Sequence, residues 1–397
     1  MADLTGRIDI ELRRLPDRIG VTIQASRPTA ASRLFIGKGV EETAVSLPAL
    51  FSICAGAQAC ACASACEAAL GLTPPTSIIR LRRMLVDLET VKEHLWRILL
   101  DWPRFLDEPP LDEAMSRVMA AYLRLRKSLT RPADLLRPGA AAAEPDLSAS
   151  AVALDELAQL SEQQVLGTQP SDWLTRIQTG DDLLDWAQST DTAPARLMQR
   201  VHAQGWTSLG RCQVSGLPCL LATDLEPLLS GTGAERFVAE PLWRGEPRET
   251  SPFTRRRQRA PVTDLARTLG NALLPRLAAQ LLELASLQSD LRSQLGRLDE
   301  PIASPAQSLG EGVGIALVPA ARGLLIHRVA IDRGRITDGR ISDYRILAPT
   351  EWNFHPRGVV FQGLAALPVT DADTLARQAG LFVTAVDPCV DYHVTIS

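Results

Sequence analysis

The stretch from Ala55 to Leu70 limits the folds open to this chain more than any other, because apart from Gln58, Glu67 and Leu70 every residue in it is alanine, cysteine, glycine or serine. Alanine is the best helix former and carries no bulk, so the stretch predicts a slender helix that neighbours approach very closely. It holds Cys60, Cys62 and Cys66, and a metal cluster is the alternative to consider. On a helix Cys62 and Cys66 share a face while Cys60 points away, so the three sulfurs do not converge on one ion. Packing is the expected role of this run.

Periodicity organises the rest. From Arg7 to Gln24 apolar residues alternate with polar ones on both sides of Leu15-Pro16-Asp17, which predicts an antiparallel pair of strands. Leu47 to Cys54 is apolar, with Pro48 marking a turn before the next helix. Ser77 to Trp102 and Leu111 to Leu129 repeat apolar residues at helical spacing, and His94, set among charges, is expected at the surface. The segment 137–150 reads as a linker or mobile loop, and helices resume from about Ala151 to Gln204. Ser230 to Gly233 is a turn too short to cradle a phosphate. Glu240 to Pro261, with Arg244, Arg248, Arg255, Arg256, Arg257 and Arg259, reads as a solvated basic loop, or else as a docking patch for an acidic partner. An amphipathic segment from Val262 to Leu295 is expected to kink or break at Pro275. Strands return at Gly314–Val318, Leu324–Ile331 and Ser342–Leu347, with turns at Asp332–Gly334 and Thr337–Gly339.

These 397 residues are enough for a large core. The division expected is one domain over 1–397, made of N-terminal strands and a cysteine segment (1–54), a helical core with a loop near 137–150 (55–300) and a C-terminal sheet (301–397). A formal charge of −4 gives no reason to expect nucleic acid or an anionic membrane as partner. The beginning, Met1 to Arg7, has no apolar signal core, and no apolar run reaches the roughly 18 residues of a membrane span. Seven cysteines, an odd number with four of them in or just before the alanine-rich run, do not look like a secreted disulfide framework. A cytoplasmic chain with reduced thiols is the expectation.

The chemistry concentrates near the end. Asp387-Pro388-Cys389 sets a sulfur after a stiff corner. Ahead of it stand Ala321-Arg322-Gly323-Leu324-Leu325-Ile326-His327 and Pro349-Thr350-Glu351-Trp352-Asn353-Phe354-His355-Pro356-Arg357. These segments resemble, in order, the Arg-Gly-x-Leu-x-His, Pro-Thr-x-Trp-Asn-x-x-Pro-Arg and Asp-Pro-Cys segments of the [NiFe]-hydrogenase large subunit. Glu249 to Arg255 is similar to that family's Glu-Thr-Gly-Pro-Leu-Ala-Arg, and Ala49 to Cys54 to its Arg-Ile-Cys-Gly-x-Cys. Its early Arg-Ile-Glu-Gly-His survives at best as Arg7-Ile8-Asp9. The resemblance implies an α+β fold, a central helical bundle with small antiparallel sheets from the N- and C-terminal parts.

The departures direct the functional expectation. The hydrogenase site takes four thiolates from two Cys-x-x-Cys pairs to hold nickel and iron. Here Phe51 and Tyr392 replace one cysteine of each pair, Cys54 and Cys389 remain, and Gln58 stands in place of a histidine. Thr395 replaces the final histidine, and only Ile396 and Ser397 follow it. The pattern resembles the HupK or HoxV type of hydrogenase maturation protein, which implies a non-catalytic scaffold that assembles or passes on the Fe(CN)2CO unit. By resemblance Cys54 and Cys389 are the iron thiolates, Arg322 and Thr350, with Pro349, bind the diatomic ligands, and Asp387 and Pro388 orient Cys389. The iron unit is expected to be held transiently, and nickel is not expected. The implied partners are hydrogenase maturation proteins of the small iron-unit chaperone kind and the large subunit. Two other functions stay open: a metal-free decoy that binds those partners, and a divergent hydrogenase or redox enzyme using Cys60, Cys62 and Cys66.

Overall fold

The computed structural model describes residues 6–26, 29–130, 133–141, 143–332 and 339–397. Strands β1 (Arg7–Arg14) and β2 (Ile19–Ala25) pair antiparallel around the Pro16 turn, as the alternation requires, with Ile8, Ile10 and Leu12 facing the core. Helix α1 (Val40–Leu50) follows and hands over, through a single 3-10 turn at Ser52–Cys54, to α2 (Ala55–Ala69).

Helix α2 is the slender rod its composition demands. It is buried along nearly its whole length. Its closest neighbour is a strand, in a sheet of four ordered β3 (Ala306–Gly310), β4 (Val313–Ala320), β5 (Gly323–Asp332) and β6 (Arg340–Leu347), all antiparallel. A Cβ added at Gly314 would lie 2.1 Å from the Ala65 carbonyl oxygen, so strand and helix touch backbone to backbone. Cys62 and Cys66 lie together on one side of α2, and the Cys60 thiol, elsewhere, reaches the Arg82 carbonyl oxygen at 3.6 Å.

The helical layer contains α3 (Thr76–Trp96), α4 (Asp112–Leu129) and α5 (Leu147–Ser161), then a run of short helices between Pro170 and Leu269, and α6 (Leu273–Leu295). Helix α7 (Ala372–Val386) leads to the last strand, β7 (Asp391–Ile396). That strand pairs with β1 in parallel, Arg7 opposite Asp391 and Leu12 opposite Ile396, so the N-terminal sheet is completed by the C-terminal segment. Among the described residues no single helix is long and apolar enough to cross a membrane.

Four local expectations need correction. His94 is wholly buried, because its Nε2 lies 3.0 Å from the Glu283 carboxylate inside the helical layer. The amphipathic stretch breaks at Gly270, not at Pro275; Pro275 is the third residue of α6, where a missing N–H leaves nothing unpaired. Asn271 fixes the break by accepting from the Cys212 N–H and donating to the Val214 carbonyl. The segment 137–150 ends in helix, since Asp146 caps α5 from Leu147. In the arginine-rich stretch Arg257 and Arg259 are exposed, but Arg255 and Arg256 turn inward onto Glu283, at 2.6 and 3.1 Å. Most of the two turns expected after β5 lies outside the described residues, as does Met1 to Thr5.

Candidate functional site

Cys54 occupies the N-cap of α2. The first amides of a helix have no partner within it, and here Gly56 and Ala57 give theirs to the Glu89 carboxylate of α3, at 2.8 and 2.9 Å. Cys54 is partly exposed, yet crowded by protein atoms on its inner side. That crowding pushes its thiol up to about 12, and the nearby Cys389 and Glu89 push the same way.

Cys389 is delivered by the end of α7. The chain turns there at Asp387, whose φ of 66° lies in the left-handed region that aspartate tolerates better than most residues. Two arginines from separate elements hold the turn. Arg97, just past α3, reaches Asp387 Oδ1 at 2.6 Å, and Arg322, ahead of β5, reaches it at 3.2 Å. Arg322 Nε also donates to the Pro388 carbonyl at 3.1 Å, and its Nη2 to Glu93 at 2.8 Å. Against the cost of burial, Arg322 and Arg97 keep the Asp387 carboxyl below its ordinary range. Burial likewise works against the Arg322 charge, and Asp387, Glu93 and Cys389 more than offset it, holding the guanidinium charged.

Two donors in this cluster are unspent, Arg97 Nε and Arg322 Nη1, and the acceptor Asp387 Oδ2 is unpaired too, among the described residues. All three atoms are buried. The Thr350 hydroxyl lies 3.0 Å from Cys389 Sγ. It is set there by the short helix Pro349–Asn353, which Pro349 opens with its φ already suited to the first turn. The neighbouring segments lock together, since Asn353 exchanges hydrogen bonds with the Thr250 backbone at 2.9 and 2.7 Å, and Thr250 Oγ1 accepts from the Leu324 N–H at 2.8 Å. An open groove of roughly 650 Å³ reaches Cys389 and Arg322, with Lys92, Arg97 and Tyr392 on its walls.

The residues singled out in the sequence, Cys54, Arg322, Pro349, Thr350 and Cys389, thus gather from four parts of the chain. Phe51 closes α1, and the Tyr392 hydroxyl bonds Thr384 and the Gly380 carbonyl, at 2.8 and 3.1 Å. Sequence reasoning did not pick out Glu89, Glu93, Arg97 or Tyr344. Nothing in their local pattern sets them apart from ordinary helix and strand residues. Gln58 carries a row of contacts: its Nε2 lies 3.6 Å from Cys54 Sγ, its Oε1 2.9 Å from His327 Nε2, and His327 Nδ1 2.9 Å from the Tyr344 hydroxyl. Among the described residues no group of three or more His, Cys, Asp and Glu side chains is arranged to hold a metal ion.

No family model matches the chain. It is 33% identical to the hydrogenase expression/formation protein HoxV of Cupriavidus necator, over 98% of this chain and 95% of that protein. The chain belongs to the HoxV/HupK family of hydrogenase expression/formation proteins. Family members also include HupK of Azotobacter vinelandii, 31% identical over 99% of both chains. The fold of this HoxV/HupK protein is that of hydrogenase large subunits. A Ni-Fe-Se hydrogenase of D. vulgaris Hildenborough superposes with a TM-score of 0.63 over 94% of each chain, at 14% identity. A NAD+-reducing [NiFe]-hydrogenase superposes with a TM-score of 0.58, over 94% of this chain and 92% of that one, at 16% identity.

Proposed function

We propose that this hydrogenase expression/formation protein is a non-catalytic scaffold on which the Fe(CN)2CO unit is held and passed on, with Cys54 and Cys389 as its thiolate ligands. The unit is cargo here. The observation that carries the reading is the unspent Nη1 donor of Arg322, buried beside Cys389. A buried donor without a partner costs on the order of 1–3 kcal/mol, and a cyanide nitrogen is an acceptor of the right kind to relieve it. Thr350 offers a second donor, its hydroxyl, next to the same sulfur, and Pro349 opens that helix.

Two thiolates leave an iron that brings its own cyanide and carbonyl ligands open on its remaining side, which suits cargo that must leave again. Soft sulfur ligands fit such an iron, and the chain's short set of sulfurs does not offer the four-thiolate cradle of a nickel–iron pair. The groove over Cys389, with Lys92 and Arg97 on its walls, gives a carrier access from outside. Its occupants would be maturation proteins of the small iron-unit chaperone kind and the hydrogenase large subunit, met in the cytoplasm.

Infrared spectroscopy with metal analysis on protein purified without oxygen, from cells that express the hydrogenase maturation machinery, tests the reading. Cyanide and carbonyl bands with iron and without nickel are expected. Protein free of bands and iron, yet still required for hydrogenase activity, would replace this reading with that of a metal-free decoy using the large-subunit fold.

A further inference from the structure

A glutamine side chain has an acceptor end and a donor end of nearly equal size. Which end faces Cys54 is therefore decided by what holds the other. In Gln58 the oxygen lies 2.9 Å from His327 Nε2 and the nitrogen 3.6 Å from Cys54 Sγ. For that oxygen to accept, His327 must carry its proton on Nε2. Its Nδ1 is then an acceptor, and the group 2.9 Å away, the Tyr344 hydroxyl, must donate to it. The imidazole is wholly buried, and burial drives its pKa down to about 3, so it carries a single proton and each choice forces the next.

The reverse order is also chemically complete. Cys54 S–H would donate to the Gln58 oxygen, the amide nitrogen to His327 Nε2, Nδ1–H to the Tyr344 oxygen, and the Tyr344 hydroxyl to Cys62, which it also contacts. Only a sulfur that still has its hydrogen can start that order. A sulfur bound to a metal has lone pairs and nothing to give.

We infer that Tyr344 and His327 are positioning residues that aim an N–H of Gln58 at the Cys54 sulfur, in a line from Tyr344 through His327 and Gln58, so that the sulfur is received as an acceptor. In the protein without cargo the line rests on the placement of the Gln58 amide, nitrogen towards Cys54 and oxygen towards His327. Its use, withdrawing electron density from an iron-bound sulfur, rests on the scaffold reading given above.

Nitrogen-15 NMR of iron-free protein labelled at its five histidines reads the line directly. A neutral His327 ring protonated at Nε2, with Nδ1 as the bare nitrogen, is expected, and a ring protonated at Nδ1 overturns the inference. Tyr344→Phe keeps the ring and removes the donor, and signals of the second His327 tautomer should then appear beside the first. A single unchanged tautomer in that variant would show that Tyr344 sets nothing. In cargo-loaded protein Gln58→Leu should move the carbonyl band to lower frequency, because a sulfur freed of its donor gives more electron density to iron; an unmoved band removes the proposed use. Protein that never takes up iron overturns the scaffold reading and leaves the tautomer to decide the line by itself.

Discussion

Arg322 Nε meets Asp387 Oδ1 at 3.2 Å across 65 residues of sequence, and so ties the start of a sheet strand to the corner that presents Cys389. Arg97 closes on the same oxygen from the helical layer. The corner is thus held by charge as well as by the proline.

Removing the carboxylate leaves two arginines facing each other in a buried space. Asp387→Ala is expected to cost about 3–5 kcal/mol, the range for breaking a buried pair from one side. Arg97→Ala should cost less, because Arg322 still pairs with Asp387 and the Arg97 side chain is 14% exposed. Urea denaturation of the two variants checks the order.

Cargo retention should separate ligands from donors. Cys54→Ser and Cys389→Ser are each expected to abolish iron-unit retention. Arg322→Lys keeps a cation near Asp387 but gives up the spare N–H, and should weaken retention by about 10- to 100-fold, as loss of a supporting partner around a metal usually does. Iron content and infrared bands of protein purified without oxygen measure both. Normal occupancy in the double cysteine variant would sink the assignment.

His327 predicts an acid dependence of stability. The unfolded imidazole takes its proton near pH 6.5, whereas the buried one does so only at about 3. Between these values the unfolded chain binds the extra proton. The contribution is therefore complete above pH 6.5 and is lost as pH falls towards 3, at about 1.4 kcal/mol per pH unit. The difference in unfolding free energy between pH 7.5 and pH 5, read from urea denaturation, should shrink by about 2 kcal/mol in His327→Gln, taken by the same relation.

Gly314→Ala tests the contact of α2 with β4. The added carbon would meet the Ala65 carbonyl and the Ala69 amide nitrogen at 2.1 and 2.5 Å, both backbone atoms that cannot swing aside. The cost should reach or exceed the upper end of the roughly 1–3 kcal/mol typical of an overpacked core. Thermal unfolding of the variant measures it.

Much of this architecture was legible because it depends on local pattern. Alternation marked β1 and β2, small residues marked α2, and apolar spacing marked α3 and α4, since each element buries one face or, for α2, all of them. Two of the failures depended on partners far away in sequence. His94 sits among charges on its own helix, yet its environment is set by Glu283, 189 residues on. Arg255 and Arg256 belong to a basic run, yet the same carboxylate draws them inward. The site behaved alike: the motif segments named Arg322, Thr350 and Cys389, while Arg97 and Tyr344 act through geometry that no spacing encodes. The parallel pairing of β7 on β1 was equally hidden, because a strand's pattern states which face is buried and not which strand lies beside it.

That pairing also sets a timetable. A protein is made from its N-terminus, and segments can fold as they emerge, but one edge of β1 has to wait for a strand encoded almost the whole chain later. Cys54 likewise waits for Cys389. However early the helices assemble during synthesis, the cargo proposed for the two sulfurs has no complete seat until the ribosome has passed both.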